Sequence, residues 1–144
     1  MLEDNAVRGC ALMTLPTIEG VVESSLYVTD MARSVQFYSK VLGFEPVDAD
    51  ERITAMSVGG RQILLLCKKG ASRDGSVPHG GEGELHVAFA IPASQFQDWE
   101  RRLAEHGVRI EHRRAWPRGG QSLYFRDPDR HLVELATPGV WTVY

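Results

Sequence analysis

Three polar residues stand at related places in an otherwise apolar pattern of strands. Glu23 opens one alternating run, and His86 opens a second alternating run later in the chain. Glu134 lies inside the apolar sequence LVELA, where an ionised carboxylate is costly unless it is paired, protonated or bound to a cation. Imidazole and carboxylate groups are ordinary ligands of divalent metals. We therefore predict that these three side chains converge on one metal site.

Each of the three residues also has a structural explanation when it is taken alone. Glu23 is compatible with a solvated carboxylate at a strand end, and His86 with a hydrogen-bonded core histidine. Glu134 is compatible with an edge-strand carboxylate that pairs with an arginine. The metal prediction therefore depends on their joint placement at the starts of two similar strands and in the final strand.

The elements that would position these residues occur twice. In the first unit, Val21 to Thr29 alternates as a strand with one more apolar face. Asp30 then has the residue type of a helix N-cap, and Gly43 ends the helical pattern that follows. The first unit is therefore a strand followed by a helix that ends at Gly43.

The second unit repeats that order. Leu85 to Ile91 is typical of a strand, Ser94 can cap a helix, and Gly107 ends it. The terminating glycines fall 20 residues after Glu23 and 21 residues after His86. Because the spacings agree so closely, we interpret the two units as an internal repeat.

Three further strand-like runs follow each helix. In the first unit they are Glu45 to Val47, Ile53 to Val58 and Ile63 to Cys67, and in the second Arg109 to Arg113, Ser122 to Arg126 and Leu132 to Ala136. The prediction is an α+β fold in which two βαβββ modules, residues 20–69 and 84–139, form a cupped mixed β-sheet with flanking helices. The glycine-rich, polar stretch KKGASRDGSVPHGGEGE joins the modules as a linker.

Composition excludes several classes of function. The chain has 144 residues, a formal net charge of -3, 43% hydrophobic and 24% charged residues. This balance is typical of a globular protein, and it offers neither the basic surface that nucleic acids require nor an apolar membrane span. We therefore expect no nucleic-acid partner and no membrane association.

The start of the chain and the cysteines indicate a cytoplasmic protein. Residues 1–19 form an irregular N-terminal extension with acidic residues where a signal peptide has positive charge. Cys10 and Cys67 lie far apart and do not have the spacing of a zinc site. We interpret both as reduced thiols.

Three stretches of the sequence resemble a known superfamily. They are ESSLYVTDMARSVQFYSKVLGFEPV, ELHVAFAIPASQFQDWERRLAEHGVRIE and GGQSLYFRDPDRHLVELATPG, and they are similar to the glyoxalases, bleomycin resistance proteins and extradiol dioxygenases, the vicinal oxygen chelate superfamily. The resemblance covers about residues 20–139, which leaves 140–144 as a C-terminal tail. By this resemblance Glu134 matches the C-terminal metal ligand and His86 the ligand of the second module. Glu23 stands where the first module commonly has histidine and sometimes glutamine or glutamate.

The resemblance implies a metal-dependent enzyme. It implies one divalent ion, Mn, Fe, Co, Ni or Zn, that binds a small substrate through two adjacent oxygens, with lyase, isomerase or dioxygenase activity, in a homodimer. Glu134 or Glu23 is the candidate base, and Tyr124 matches a tyrosine that ring-cleaving members place near the metal. An ordinary strand position explains Tyr124 equally well.

The segment HRRAWPRGGQ is interpreted as a loop beside the cleft. Trp116 is then a candidate contact for an aromatic group of the substrate, and Arg118 a candidate contact for an anionic group. A solvated loop is the simpler explanation of the same residues.

Two departures from the family's pattern keep other functions open. The region Leu64 to Leu66 has no polar residue where glyoxalase I places a fourth ligand, and Arg130 stands where the family usually has glycine. A positive φ at Arg130 would cost about 1 kcal/mol. The alternatives are a metal-free, bleomycin-resistance-like binding protein and, ranked lowest, a fosfomycin-modifying transferase.

Overall fold

The repeat predicted from the sequence is present in the three-dimensional structure. A computed structural model describes residues 15–71 and 78–144, so Cys10, most of the N-terminal extension and the middle of the linker lie outside the described residues. The elements in chain order are β1 Glu23–Val28, α1 Met31–Leu42, β2 Glu45–Ala49, β3 Ile53–Val58, β4 Gln62–Lys68, β5 His86–Ala90, a 3-10 turn Ala93–Gln95, α2 Phe96–Glu105, β6 His112–Ala115, β7 Gln121–Arg126 and β8 Leu132–Ala136.

The strands form two four-stranded mixed sheets with the same topology. One sheet has the order β1-β4-β3-β2 and the other the order β5-β8-β7-β6. In each sheet the first strand pairs in parallel with the last, and the remaining pairs are antiparallel. The α+β fold with two βαβββ modules is therefore confirmed. Within one chain β1 and β5 are both edge strands, so the two sheets do not join into one.

The first helix begins and ends where its sequence predicts. The Asp30 carboxylate accepts a hydrogen bond from the Arg33 backbone N–H at 3.0 Å, and Gly43 closes the helix with φ 74°. The prediction of Ser94 as the second cap is wrong. Ser94 lies inside the 3-10 turn, whereas a cap requires extended backbone, and α2 starts at Phe96. Neither helix is long and apolar enough to cross a membrane, and no other helix occurs among the described residues.

The strand predicted over Arg109 to Arg113 is also displaced. Pairing with β7 starts only at His112, because residues 108 and 110 are packed against the core instead of pairing in the sheet. The apolar alternation that predicted an earlier strand thus reflects side-chain packing of a connecting segment.

Both modules contribute to a single apolar core. Leu26 and Val28 of β1 are buried, as is Ile91 directly after β5, which confirms that the more apolar face of each predicted strand faces the core. The largest side chains at the centre are Tyr38, Met56, Leu64, Leu66, Leu103, Leu123, Phe125 and Leu135. Because the core is shared, neither half would bury its apolar surface alone.

The turn between β7 and β8 binds the first module through two aspartates. Asp129 Oδ1 accepts hydrogen bonds from the backbone N–H and the hydroxyl of Thr29 at 3.0 and 2.7 Å. Tyr38, itself buried, donates its hydroxyl proton to Asp127 Oδ2 at 2.8 Å. Burial raises the pKa of Asp127, and the hydrogen bond from Tyr38 partly opposes that rise. The turn is therefore a polar connection between the modules.

His131, in the turn between β7 and β8, is the buried centre of this connection. Its Nδ1 accepts the Leu85 backbone N–H at 3.0 Å, and its Nε2 lies 2.7 Å from the Tyr27 carbonyl oxygen. A carbonyl only accepts, so Nε2 carries the proton and the ring is neutral. Arg130 beside it has φ 70°, which confirms the expected left-handed residue.

Asp129→Asn is expected to destabilise the fold in a pH-dependent way. Burial acts to raise the pKa of Asp129, but hydrogen bonds from Thr29 and Ser34 and the charge of Arg33 outweigh it, so the pKa is lowered. A lowered pKa stabilises the folded state above the ordinary carboxyl pKa, and this contribution disappears as the pH falls. We expect a loss of about 2 kcal/mol near pH 7 from the weakened charged hydrogen bonds.

Urea unfolding at several pH values measures this effect. The difference between wild type and Asp129→Asn should shrink as the pH falls below about 4. Asp48→Asn, at an exposed carboxylate that bonds only its neighbouring backbone, is the control and should change stability by less than about 0.5 kcal/mol. A difference that does not vary with pH would contradict the assignment.

Candidate metal centre

His86 and Glu134 meet on the open face of the second sheet. β5 and β8 are parallel, with His86 opposite Leu132 and Ala88 opposite Glu134, so the two side chains are diagonal neighbours on one face. His86 Nε2 lies 3.2 Å from Glu134 Oε2. The Glu134 residue is 6% exposed although it carries a carboxylate. The expected burial of this carboxylate in the last strand is confirmed.

The hydrogen bonds of His86 indicate that its contact with Glu134 requires a proton or a cation between the two side chains. His86 Nδ1 lies 3.0 Å from the Leu132 carbonyl oxygen, so Nδ1 carries the proton and Nε2 presents its lone pair in the neutral ring. That lone pair faces a Glu134 oxygen, and two acceptors at this distance need a second proton on His86 or a cation. Two neighbouring ligand atoms that each lie about 2.1 Å from one metal ion are about 3.0 Å apart in octahedral geometry and about 3.4 Å apart in tetrahedral geometry. The observed 3.2 Å therefore suits a divalent ion.

Tyr124 orients the Glu134 carboxylate. It lies directly opposite Glu134 on β7, and its hydroxyl donates to Glu134 Oε1 at 2.9 Å, which leaves Oε2 for His86. Burial raises the pKa of Tyr124; a hydrogen bond with Ser122 lowers it and the contact with Glu134 raises it again. The phenol therefore remains a neutral donor at physiological pH.

Glu23 is not part of this cluster within one chain. It lies exposed at the start of β1 and lines a hollow of about 260 Å³ between the modules, together with Val22, Ala88 and Phe89. Over residues 15–71 and 78–144, no three His, Cys, Asp or Glu side chains come close enough to share a metal. β1 and β5 do not pair in one chain, so the sheet register does not bring Glu23 opposite His86. Glu23 as a ligand remains a prediction.

Trp116 lies on the same open face as Glu134, but Arg118 is directed elsewhere. The Trp116 indole N–H donates to Ser122 Oγ at 2.9 Å, and Ser122 alternates with Tyr124 on β7. Arg118 instead donates to the Val140 carbonyl at 3.3 Å. Whether either residue contacts substrate remains a prediction.

Two residues that the sequence did not single out also lie on this face. His112 pairs with Tyr124, with ring centroids 6.0 Å apart, and the Arg114 guanidinium carbon lies 3.7 Å from the centre of the Trp116 ring. Residues 112 and 114 alternate along β6, and residue 116 follows directly after its end, so period-two counting on a correctly placed β6 would have found His112 and Arg114.

Comparison with known proteins gives consistent matches over most of the chain. The profile of the Glyoxalase/Bleomycin resistance protein/Dioxygenase superfamily matches residues 18–135. Metallothiol transferase FosB of Shouchella clausii is 30% identical over 122 residues, which cover 83% of this chain and 81% of that protein. Catechol-2,3-dioxygenase of Bacillus subtilis is 27% identical over 113 residues, which cover 78% of this chain and 39% of that protein.

A solved structure matches the same region. The crystal structure of lactoylglutathione lyase from Agrobacterium tumefaciens superposes with a TM-score of 0.81 at 28% sequence identity. The superposition covers 88% of this chain and 98% of that one. The module arrangement described above is therefore shared with a solved protein.

Proposed function

The chain belongs to the glyoxalase, bleomycin resistance protein and dioxygenase superfamily, and from this we propose that it is a metal-dependent enzyme whose small substrate binds through two adjacent oxygens. The observation that carries the proposal is the approach of His86 Nε2 to a Glu134 oxygen at 3.2 Å, with His86 Nδ1 held by the Leu132 carbonyl oxygen. Their mutual orientation requires a positive charge, and the separation suits two ligands of one ion.

The side chains have distinct roles in this proposal. His86 and Glu134 hold one divalent ion, Mn, Fe, Co, Ni or Zn, with Glu23 as the third ligand. Such an ion would act as a Lewis acid for negative charge on the substrate oxygens. Tyr124 keeps one carboxylate oxygen of Glu134 in place with its hydroxyl proton, and its phenol oxygen can accept a hydrogen bond from a bound hydroxyl group. Glu23 or Glu134 would accept the substrate proton in a lyase or isomerase reaction.

We also propose that the active form is a homodimer. β1 and β5 are edge strands with exposed ends, and an uncovered sheet edge favours pairing with another chain. A dimer would allow Glu23 of one chain to approach the His86 and Glu134 pair of the other. A cytoplasmic location, which is the expectation from the sequence, completes the proposal.

A metal-dependent thiol transferase is the second candidate. It is favoured by the similarity to metallothiol transferase FosB, which extends over 83% of this chain. Arg114 adds positive charge to the open face and has no carboxylate partner within 4.0 Å among the described residues. A metal-free binding protein is the alternative without catalysis.

Metal analysis of protein purified without chelator tests the proposal. We expect about one divalent ion per chain, because each chain contributes one Glu23, one His86 and one Glu134 to the proposed sites. Loaded protein is then screened with vicinal diols, α-keto aldehydes, catechols and electrophiles in the presence of thiols. If the protein takes up no divalent metal even when the metal is supplied, the result contradicts a metal-dependent enzyme and favours the metal-free binding protein.

Tyr124→Phe should weaken metal binding without abolishing it. The variant removes the hydroxyl that orients Glu134 but leaves both proposed ligands. Loss of such a supporting hydrogen bond typically lowers metal affinity by about 10- to 100-fold. Competition with a chromophoric chelator measures the change, and Tyr27→Phe, which removes a hydroxyl that bonds His79 of the linker, is the control. Unchanged affinity would remove Tyr124 from the site.

A further inference from the structure

The C-terminal residues, expected as a tail, are attached to the hairpin between β6 and β7. The Gly139 backbone N–H donates to the Tyr144 carbonyl at 2.8 Å, and the Tyr144 hydroxyl donates to the Ala136 carbonyl at 3.0 Å. Gly139 and Gly120 approach so closely that a Cβ on either would collide with the backbone of the other segment. Val140 between them is 3% exposed. Residues 139–144 are therefore packed against the second module.

This attachment places two tryptophans side by side. The ring centroids of Trp116 and Trp141 are 6.2 Å apart with an angle of 38° between the rings. The Arg114 guanidinium lies against Trp116, so we name Arg114, Trp116 and Trp141 the aromatic wall. Trp141 is 64% exposed, an unusual position for the largest apolar side chain.

The aromatic wall adjoins the proposed metal centre. Trp116 donates to Ser122, Ser122 and Tyr124 alternate on one face of β7, and Tyr124 donates to Glu134. Ser122 lies opposite Ala136, two residues along β8 from Glu134, a distance of about 7 Å. A small ligand held at Glu134 would reach the wall with a ring about three bonds from its chelating oxygens, because that chain and the width of the ring together span about 7 Å.

We infer that the aromatic wall binds a planar aromatic group of the substrate, at the end remote from the two oxygens that bind the metal; this inference rests on the proposed function. The tilted pair of indoles offers an aromatic surface that favours a flat ring over a bulky aliphatic one. The cation of Arg114 behind Trp116 and the hydrogen bond to Ser122 hold that indole in place, so little freedom is lost when a ligand binds.

Ligands that share one chelating end and differ at the other test the inference. Lactate, 3-phenyllactate and 3-cyclohexyllactate carry the same adjacent oxygens, and the last two are matched in size. Titrations follow tryptophan emission in Trp99→Phe protein, in which the signal comes from Trp116 and Trp141, because the chain has three tryptophans. Each titration is made with and without bound Zn²⁺, which has no redox chemistry of its own.

We expect 3-phenyllactate to bind about threefold to tenfold more tightly than 3-cyclohexyllactate. In this Trp99→Phe background, Trp141→Leu should abolish the preference and leave lactate binding unchanged, whereas Val47→Ala, at an exposed apolar side chain of β2, should retain the preference. Equal binding of the two matched ligands, no binding of 3-phenyllactate, or a preference that survives Trp141→Leu overturns the inference. A shift in tryptophan emission when the ligand-free protein is diluted also overturns the inference, because it would show that a second copy of the chain covers the wall.

The zinc dependence separates this inference from the proposed function. If the phenyl preference is found but none of the ligands gains affinity from Zn²⁺, the aromatic wall stands and the metal proposal fails. If Zn²⁺ binds and strengthens lactate binding but the preference is missing, the metal proposal stands and the wall is excluded.

Discussion

His86→Ala and Glu134→Ala are each expected to lower the affinity for a divalent metal by more than about a hundredfold, because even supporting residues of metal sites account for 10- to 100-fold. Each substitution removes one of the two groups that face each other at 3.2 Å. The two proposed ligands that remain, Glu23 and the other member of the pair, are too few to hold the ion tightly. Metal content after gel filtration, with turnover of any substrate found in the screen, measures the loss.

Folding must be retained for this result to be informative. His86 is half exposed, and Glu134 faces the open side of the sheet, so neither substitution opens the apolar core. Matching circular dichroism and unfolding midpoints are therefore expected. His106→Ala is the matched control, because His106 is an exposed helix-end residue that bonds only the Arg102 carbonyl. Retention of full metal content by either site variant would disprove the proposed centre.

Mixing two inactive variants is expected to restore part of the activity. Glu23→Ala and Glu134→Ala each lose a proposed ligand, but they lose it from different modules. If each site combines Glu23 of one chain with His86 and Glu134 of the other, random mixing yields about a quarter of the intact sites, since half the dimers are mixed and each has one complete site. The physical basis is the separation of Glu23 from the pair within one chain.

The mixture is compared with each variant alone after joint unfolding and refolding. Recovery of metal and turnover to about that fraction supports a site shared between chains. No recovery, with both variants inactive, indicates that Glu23 reaches the pair in its own chain. Full activity of Glu23→Ala alone would show that Glu23 is not a ligand.

The sequence alone was sufficient for the repeated architecture and its helix ends. Asp30 and Gly43 act locally, within one turn of the helix, so their residue types predict the boundaries of α1 directly. Glu134 was recognisable for a similar reason, because a carboxylate within an apolar strand stands out whatever its partners are. The positive φ of Arg130 likewise follows from a single turn.

Tertiary structure alone decided which of the chemical groups meet. Pairing register brings Tyr124 opposite Glu134 and His112 opposite Tyr124, and register depends on turns that the sequence located only to within a few residues. The same holds for Trp141, which lies beside Trp116 only because the chain end folds back onto a hairpin. Equivalence within a repeat predicted that Glu23 and His86 occupy corresponding places. The equivalence could not predict whether Glu23 and His86 lie close together. Their distance depends on which edges of the two sheets adjoin, and that arrangement is a property of the assembled sheets rather than of either strand.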